Sequence, residues 1–297
     1  MSHNGELISG VARWGRRIHG HTLPGEGIRC SRESPLTESE INEIANIIAR
    51  ARRSHCLAQG FPEHLKTRHW ESVMSVIDKV NEQLSWPSAG WKIGAASKEI
   101  QRIEQVPYPC PGQMARCRVF SSPARLPREA FIRYRECECE YAFRMRVELR
   151  HRENAYTEEE VADCIESLCP AIEIGDCVFE DWYALSGYFG SGMDNGGAGA
   201  FVPGAPVYDW RRFDLANAKV DLYFNGQHAK AGHGREAMGH PLTSLTWLVN
   251  WLGKRGKNLE AGAYVSTGTC TGHFFAAPGD EVAADFGEIG KVSVVFE

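Results

Sequence analysis

The sequence contains no apolar run that approaches the roughly 18 residues of a membrane-spanning helix. Its first residues include Asn4, Glu6 and Arg13, so they lack the apolar core of a signal peptide. Internal repeats and low-complexity segments are missing as well. The sequence therefore excludes a repeat protein and a spanning helix, and we expect a cytoplasmic protein.

Two common binding motifs are also missing. The 10 cysteines are scattered and form no C-x-x-C pair, so we expect most of them to be small core side chains in a reducing compartment. The glycine-dense segment 187–199 has no G-K-[ST] signature, which excludes that type of phosphate loop and favours a loop bordering a site. The net charge of -5 and pI near 6.1 give no overall attraction to nucleic acid or to an anionic membrane.

The chain has the composition of a globular protein, with 43% hydrophobic and 24% charged residues in 297. Residues 1–36 show no sustained apolar period, and we interpret them as an N-terminal extension. The capping box Thr37-x-x-Glu40 predicts a helix to about Arg53, and helical spacing predicts a second helix over 67–84. Near Pro87 the pattern becomes β-rich, so the sequence predicts a helical region over 37–88 and another domain over 89–297.

The β-rich part alternates strand patterns with turn residues. Five prolines indicate a loop over 105–128, and a second capping box predicts a short helix from Thr157 through Leu168, ended by Pro170. The pair Asn225-Gly226 indicates a hairpin, and Pro241 opens a third helix. Strands are predicted at 90–94, 135–143, 171–176, 219–224, 264–267, 282–286 and 292–296.

The segment 135–143 combines strand-like alternation with a concentration of acid. Successive side chains on a strand point to opposite faces, so Glu136, Glu138 and Glu140 share one face. Like charges at that spacing repel one another. From this segment alone two interpretations stay open: a solvated edge strand, which is the usual place for a charge run, or a face whose carboxylates hold a divalent cation.

Two other charged residues lie in apolar surroundings. Glu173 lies between two isoleucines in a run that predicts a buried strand, and a buried carboxylate needs a partner such as a metal or a lysine. Lys92 is flanked by Trp91 and Ile93. A strand lysine is usually on the surface, but one enclosed beside other charges has a pKa that moves readily, which suits proton transfer.

Seven motifs occur in one order along the chain: Gly90-Trp91-Lys92-Ile93-Gly94, Glu138-x-Glu140-x-Ala142-Phe143, Pro170-Ala171-Ile172-Glu173-Ile174, Asp194-Asn195, Gly239-His240-Pro241-Leu242, Ser266-Thr267-Gly268-Thr269 and Pro278-Gly279-Asp280. Together they resemble the fumarylacetoacetate hydrolase superfamily, and within it the branch of 2-keto-4-pentenoate hydratases and 4-oxalocrotonate decarboxylases from bacterial aromatic degradation. The resemblance covers about residues 37–297. It implies an α+β fold, with a mixed β-roll as the metal-binding catalytic domain over 89–297.

The resemblance implies a divalent metal, Mg²⁺ or Mn²⁺, held by Glu138, Glu140 and Glu173. Hard oxygen ligands without a matching histidine or cysteine set favour these metals over zinc. A metal held by three side chains keeps open positions, which a 2-oxo acid fills through its carboxylate and keto oxygens. The resemblance therefore implies chemistry through a metal-stabilised enolate.

Three further roles come from the same resemblance. Lys92 matches the family's lysine and is expected to be the proton shuttle. Thr269, with its neighbouring backbone amides, is expected to hold the substrate carboxylate, and Asp194 is expected to border the pocket.

One departure from the family affects the expected reaction. Hydratases of this branch usually carry acidic residues after the lysine strand, where this chain has Gln113-Met114-Ala115-Arg116. If those acids position the attacking water, their absence adds weight to a decarboxylase, which needs no activated water. We expect a hydratase of an unsaturated 2-oxo acid, with a 4-oxalocrotonate-type decarboxylase as the alternative, followed by an acylpyruvate C–C hydrolase or a non-catalytic partner subunit.

The expected partners follow from this interpretation. The ligand is a small 2-oxo acid, and neither nucleic acid nor a membrane is expected. The resemblance also implies a homo-oligomer and an association with another enzyme of the same pathway.

Overall fold

A computed structural model of the chain describes residues 32–103, 106–179 and 192–297. Most of the predicted extension, residues 1–31, and part of the glycine-dense segment, residues 187–191, lie outside the described residues. Within the described ranges the α-helices are α1 (Glu38–Ser54), α2 (Trp70–Leu84), α3 (Lys98–Ile103), α4 (Glu158–Ala162) and α5 (Pro241–Lys254). None of the helices in these ranges is long and apolar enough to cross a membrane.

The described strands form two sheets. The first has the order β2-β1-β9-β4-β5-β6, with β10 paired to β4, and consists of β1 (Ser88–Gly94), β2 (Cys110–Ala115), β4 (Glu136–Met145), β5 (Ile165–Gly175), β6 (Ala198–Pro203), β9 (Tyr264–Thr269) and β10 (Phe274–Phe275). The second has the order β3-β12-β11-β7-β8 and consists of β3 (Ala124–Leu126), β7 (Lys219–Phe224), β8 (Gln227–His233), β11 (Glu281–Asp285) and β12 (Lys291–Phe296). Parallel pairing of β1 with β9 and of β3 with β12 makes both sheets mixed, which confirms the predicted α+β class.

Helices α1 and α2 form as the sequence predicts. The Thr37 side chain accepts a hydrogen bond from the Glu40 backbone, and the Glu40 side chain accepts one in return, which completes the capping box. Ile44 and Ile48 are fully buried on the inner face of α1. They belong to a core cluster that also contains Cys110 and Phe179 from the β-rich part, so the helices and the first sheet share buried surface. The proposed boundary near residue 88 stays a prediction.

Two expectations about the β-rich part are wrong. The proline-rich segment 105–128 contains β2 and β3, and Pro111 is accommodated because β2 is an edge strand paired only with β1 among the described strands. The helix predicted through Leu168 ends at Ala162, and β5 begins at Ile165. Pairing with β4 along nearly its whole length outweighs the local helical spacing there.

The acidic segment is a central strand, not an edge strand. Strand β4 lies between β9 and β5, and every side chain from Glu136 to Phe143 is buried. One face carries Cys137, Cys139 and Tyr141 into the main apolar core between the sheets. The other face carries the glutamates, so these carboxylates are enclosed by protein and the solvated interpretation of the segment is wrong.

Candidate active site

Strand register brings the predicted reactive residues together. Glu138 on β4 lies directly opposite Glu173 on β5, and directly opposite residues of antiparallel strands point to the same face. Glu140 lies opposite Thr269 on β9, and Lys92 on β1 is in register with Ser266 on the same strand. Three strands that are distant in sequence therefore direct one lysine and three glutamates to a common volume.

The four side chains are almost completely enclosed. Glu138 is 7% exposed, Lys92 is 4% exposed, and Glu140 and Glu173 are each 1% exposed. One carboxylate oxygen from each glutamate lies within 4.8 Å of those of the other two. The Lys92 Nζ atom lies 3.1 Å from Glu173 Oε1. The cluster thus holds three acids and one base out of water, a formal charge of -2 if all are ionised.

Close packing of glycines makes room for the lysine. A Cβ atom at Gly112, which faces Lys92 across the β1–β2 pair, would lie 2.0 Å from the Asn195 backbone oxygen and 3.4 Å from Lys92 Cγ. A Cβ atom at Gly94 or at Gly196 would lie 3.4 Å from the Lys92 side chain. The backbone around Lys92 is therefore fitted to an extended side chain that reaches the carboxylates.

The electrostatics reflect the excess of acid. Burial raises the pKa of Glu138 to about 7, and repulsion from Glu173 adds to this increase. The attraction of His273 acts in the opposite direction and lowers the pKa. Burial, followed by repulsion from Glu173 and Glu138, raises the pKa of Glu140 well above its ordinary range. Burial by itself would lower the pKa of Lys92, but the attraction of the three glutamates reverses that effect and raises it. A further positive charge beside them would favour the ionised forms of Glu138 and Glu140.

Hydrogen bonding leaves part of the cluster without a partner. Glu140 Oε2 accepts hydrogen bonds from the Ser266 hydroxyl at 2.6 Å and from the Gly268 amide at 2.8 Å. Within the described part of the chain, neither oxygen of Glu173 has a well-oriented hydrogen-bond donor, although Lys92 Nζ is close to one of them. Buried carboxylate oxygens without donors, in a cluster with excess negative charge, are the expected state of ligands for a hard divalent cation. The donor set therefore fits Mg²⁺ or Mn²⁺.

Glu136 and His273 extend the acidic face. Glu136 is 2% exposed, and His273 Nδ1 lies 2.5 Å from Glu136 Oε1 and 3.5 Å from Glu138 Oε1. The interpretation of a solvated acidic face is therefore wrong for Glu136 too, because the side chain is enclosed beside this histidine. His273 was not found from the sequence, since nothing in the spacing of the loop after β9 relates it to β4.

Asp194 belongs to a different polar group. Its two carboxylate oxygens accept hydrogen bonds from Arg52 at 2.8 and 2.7 Å, and one of them also accepts the Val178 amide at 2.9 Å. The same guanidinium donates to the Asp176 backbone oxygen and lies 3.8 Å from the Asp176 carboxylate. The Asp194 carboxylate is thereby engaged with protein, and its role as a substrate contact stays a prediction.

Asp176 and Arg52 were missed from the sequence. The Asp176 carboxylate accepts hydrogen bonds from the consecutive amides of residues 132–134 at 2.7 to 2.9 Å, which fixes the segment that leads into β4. Arg52 continues the apolar spacing of Ile44, Ile48 and Ala49 on the inner face of α1. The helical period of α1 assigns position 52 to the core, and a charged residue at a core position indicates a buried ion pair. That signal was available in the sequence.

Thr269 lies at the end of β9. Its hydroxyl donates to the Gly272 backbone oxygen at 3.2 Å, and the side chain is half-buried beside Glu140 in the register. The position is compatible with contact to a bound acid, and the predicted carboxylate-binding role of Thr269 stays a prediction.

A cavity of about 590 Å³, counting the part open to solvent, meets the cluster at Glu173. Of the three clustered glutamates, Glu173 is the one that lines it. The other walls come from the end of α2, from β2 and its following turn, and from β6; they include Trp86, Gln113, Met114, Arg118 and Phe201. The wall combines polar and apolar side chains, as the walls of small-molecule sites do.

Comparison with known proteins is consistent with this geometry. No family model matches the sequence. The chain is 30% identical over 208 residues to a 2-hydroxyhexa-2,4-dienoate hydratase of Comamonas testosteroni, a match that covers 70% of this chain and 77% of the relative. It is 28% identical over 138 residues to a 4-oxalocrotonate decarboxylase of Pseudomonas putida, covering 46% of this chain and 51% of the relative.

Solved structures show the same fold. A 4-oxalocrotonate decarboxylase from Pseudomonas putida G7, complexed with magnesium and adipate, superimposes with a TM-score of 0.80 at 22% identity, covering 90% of this chain and 100% of that one. The expected resemblance is confirmed. The chain belongs to the family of the 2-keto-4-pentenoate hydratases and 4-oxalocrotonate decarboxylases, and it shares its fold with a solved structure described as a fumarylacetoacetate hydrolase family protein, with a TM-score of 0.55.

Proposed function

We propose that this protein is a divalent-metal-dependent lyase that hydrates an unsaturated 2-oxo acid, in the manner of the 2-keto-4-pentenoate hydratases. The observation that carries the proposal is the buried cluster of Glu138, Glu140 and Glu173 around the Lys92 ammonium group. A protein that only needed a stable core would gain nothing from three mutually repelling buried acids.

The three glutamates would hold Mg²⁺ or Mn²⁺. When bound, such an ion supplies Lewis acidity toward the 2-oxo acid and favours its enolate form. Ser266 and the Gly268 amide hold Glu140 in place through its Oε2 atom, so that the other oxygen stays available as a ligand.

Lys92 moves the proton in this proposal. Hydration of a 2-hydroxydienoate first moves the hydroxyl proton to carbon, which gives an unsaturated 2-oxo acid, and then adds water across the remaining carbon–carbon double bond. Lys92 Nζ is enclosed with the carboxylates, whose attraction raises its pKa. A divalent cation on the same glutamates would offset that attraction and make the ammonium proton easier to donate. The predicted substrate contact at Thr269 would orient the acid group next to this atom.

The proposal is tested by turnover of 2-hydroxypenta-2,4-dienoate, followed as ultraviolet loss. We expect activity that EDTA abolishes and Mg²⁺ or Mn²⁺ restores, and a loss of at least about a hundredfold in Glu140→Ala. Glu166→Gln is the matched control, because Glu166 is a half-exposed acid on β5 that pairs with Arg144. Turnover that survives both EDTA and Glu140→Ala would refute the metal mechanism.

Decarboxylation is the second candidate. Gln113 in β2 and Arg118 in the turn after it line the cavity, and Glu173 is the one acid among the described residues of the lining. A wall without a further carboxylate to position water favours loss of CO₂ over hydration. Parallel measurement of CO₂ release and ultraviolet loss on 4-oxalocrotonate distinguishes the two reactions.

The proposal extends to the setting of the enzyme. We place the enzyme in the cytoplasm as a homo-oligomer that acts on a small 2-oxo acid in aromatic catabolism. We also propose that it associates with another enzyme of the same pathway. Sedimentation of the purified chain alone tests the oligomer.

A further inference from the structure

Arg118 lies beside the candidate active site and differs from the other arginine there in how its charge is compensated. It ends the short turn Arg116–Arg118 that follows β2, next to Val119, which bridges to Phe201 on β6. The side chain is half-buried and lines the same cavity as Glu173. Among the residues that the structure describes, no side chain forms a hydrogen bond or an ion pair with its guanidinium group.

The neighbouring arginine differs in this respect. Arg52 also lines the cavity, but its charge is matched by the bidentate contact with Asp194 and by the nearby Asp176 carboxylate. Burial and the Arg52 cation lower the pKa of Arg118, so its charged form is less favourable than in water. An anion placed in the cavity would relieve that penalty, and the planar guanidinium suits a carboxylate through two parallel hydrogen bonds.

The cavity wall has charged groups at two places and apolar surface as well, which suits a ligand with a polar group at each end. One end is the Glu173 side of the carboxylate cluster, and another part of the wall is the Arg118 guanidinium. Trp86, Met114 and Phe201 supply apolar surface in the same cavity. A short unsaturated carbon chain with an acid group at each end matches this combination.

We infer that Arg118 binds the distal carboxylate of the substrate, so that the protein acts on dicarboxylic 2-oxo acids in preference to those with an apolar end. The inference rests on the proposed function, because it assigns the 2-oxo acid end of the substrate to the carboxylate cluster. It applies directly to hydration, which keeps the distal carboxylate. In a 4-oxalocrotonate-type decarboxylation that carboxylate is the group released as CO₂, so there Arg118 would bind the substrate and not the product.

The first test uses the unmodified protein loaded with Mn²⁺. Binding of 2-oxoadipate and of 2-oxohexanoate is measured by calorimetry; the two acids differ by the distal carboxylate. We expect 2-oxoadipate to bind about tenfold to a hundredfold more tightly, the range for a charge-assisted hydrogen bond. Equal affinities would overturn the inference and leave the proposed function standing, whereas no binding of either acid would refute the proposed function as well.

Variants assign the preference to Arg118. In Arg118→Gln the ratio of the two affinities should fall to near one, and Arg118→Lys should retain part of it because the charge remains. Arg116→Gln is the matched control: Arg116 lies in the same turn, is exposed, and donates to the Ser88 backbone oxygen at 3.2 Å. If Arg118→Gln keeps the wild-type ratio, or Arg116→Gln loses it, the assignment is wrong. Circular dichroism confirms that each variant is folded.

Discussion

Two groups of buried charged side chains each contribute a residue to the cavity lining, Arg52 from one and Glu173 from the other, and the groups differ in how their charges are compensated. In the first, Arg52 contacts both Asp194 and Asp176, and the two aspartates accept further hydrogen bonds from backbone amides. In the second, Lys92 faces three glutamates, and Glu173 has no well-oriented donor on either oxygen. The first group is complete within the protein, and the second is not.

This difference distinguishes buried charged residues that stabilise the fold from buried charged residues that bind a ligand. A buried ion pair with all its hydrogen bonds made holds elements in place; here it joins α1 to the segment after β5. A buried cluster with excess acid and orphaned oxygens destabilises the fold unless a ligand completes it. Burial of charge alone would not distinguish the two groups, but the count of donors and charges does.

The largest expected effect is on catalysis. Lys92→Met removes the ammonium group beside the three glutamates, and we expect kcat on the preferred dienoate to fall by about 10²- to 10⁴-fold, the range for loss of a general acid or base. Lys98→Met, in the helix after β1, is the control and should keep wild-type activity. Stopped-flow ultraviolet measurements give both values, and a Lys92→Met enzyme within threefold of wild type would show that the lysine does not transfer the proton.

The next effect is on stability and concerns the compensated group. Arg52→Met leaves Asp194 and Asp176 buried without their cation, and we expect the free energy of unfolding to fall by about 3 to 5 kcal/mol. Arg50→Met, on the exposed side of α1, should change it by less than about 0.5 kcal/mol. Urea unfolding measures both. A loss in Arg52→Met no larger than in the control would mean that this group does not hold the helix in place.

The smallest effect is a pH dependence of the metal-free protein. The folded-state pKa of Glu138 is raised from its ordinary 4.5 to about 7, so the folded chain binds more protons than the unfolded chain between these values. The free energy of unfolding in EDTA should therefore fall as the pH rises from about 4.5 to about 7. Glu138→Gln should flatten this slope and Glu166→Gln should not. If the free energy of unfolding in EDTA instead increases between pH 4.5 and about 7, the claim that the metal-free cluster carries excess acid is wrong.

Much of the fold could be predicted because local signals agree with it. The capping boxes at Thr37 and Thr157 and the turn at Asn225-Gly226 each appear where the sequence places them. The segment from Ile165 to Leu168 was misassigned, because its helical spacing is local whereas its pairing partner on β4 is some twenty residues away. The strand at Pro111 was missed because tolerance of proline depends on its being at an edge, which sequence does not reveal.

Part of the candidate active site could be predicted from the sequence, because some of its residues carry local signals. Glu173 between two isoleucines and the alternation of Glu138 with Glu140 are visible in the chain, and family motifs connect them with Lys92. Their convergence depends on the register of β1, β4 and β5, which the sequence alone does not define. Arg118 carries no local pattern at all, because its importance comes from the cavity that it lines.

The most direct test of the account is the stoichiometry of Mn²⁺ binding, measured by calorimetry or electron paramagnetic resonance on protein first stripped with EDTA. We predict one Mn²⁺ ion per chain in the wild type and in Glu166→Gln, and at least about a hundredfold weaker binding in Glu173→Gln, whose side chain keeps its shape but loses its charge. Binding of equal strength in Glu173→Gln, or no binding in the wild type, would contradict the claim that the uncompensated glutamates form a metal site.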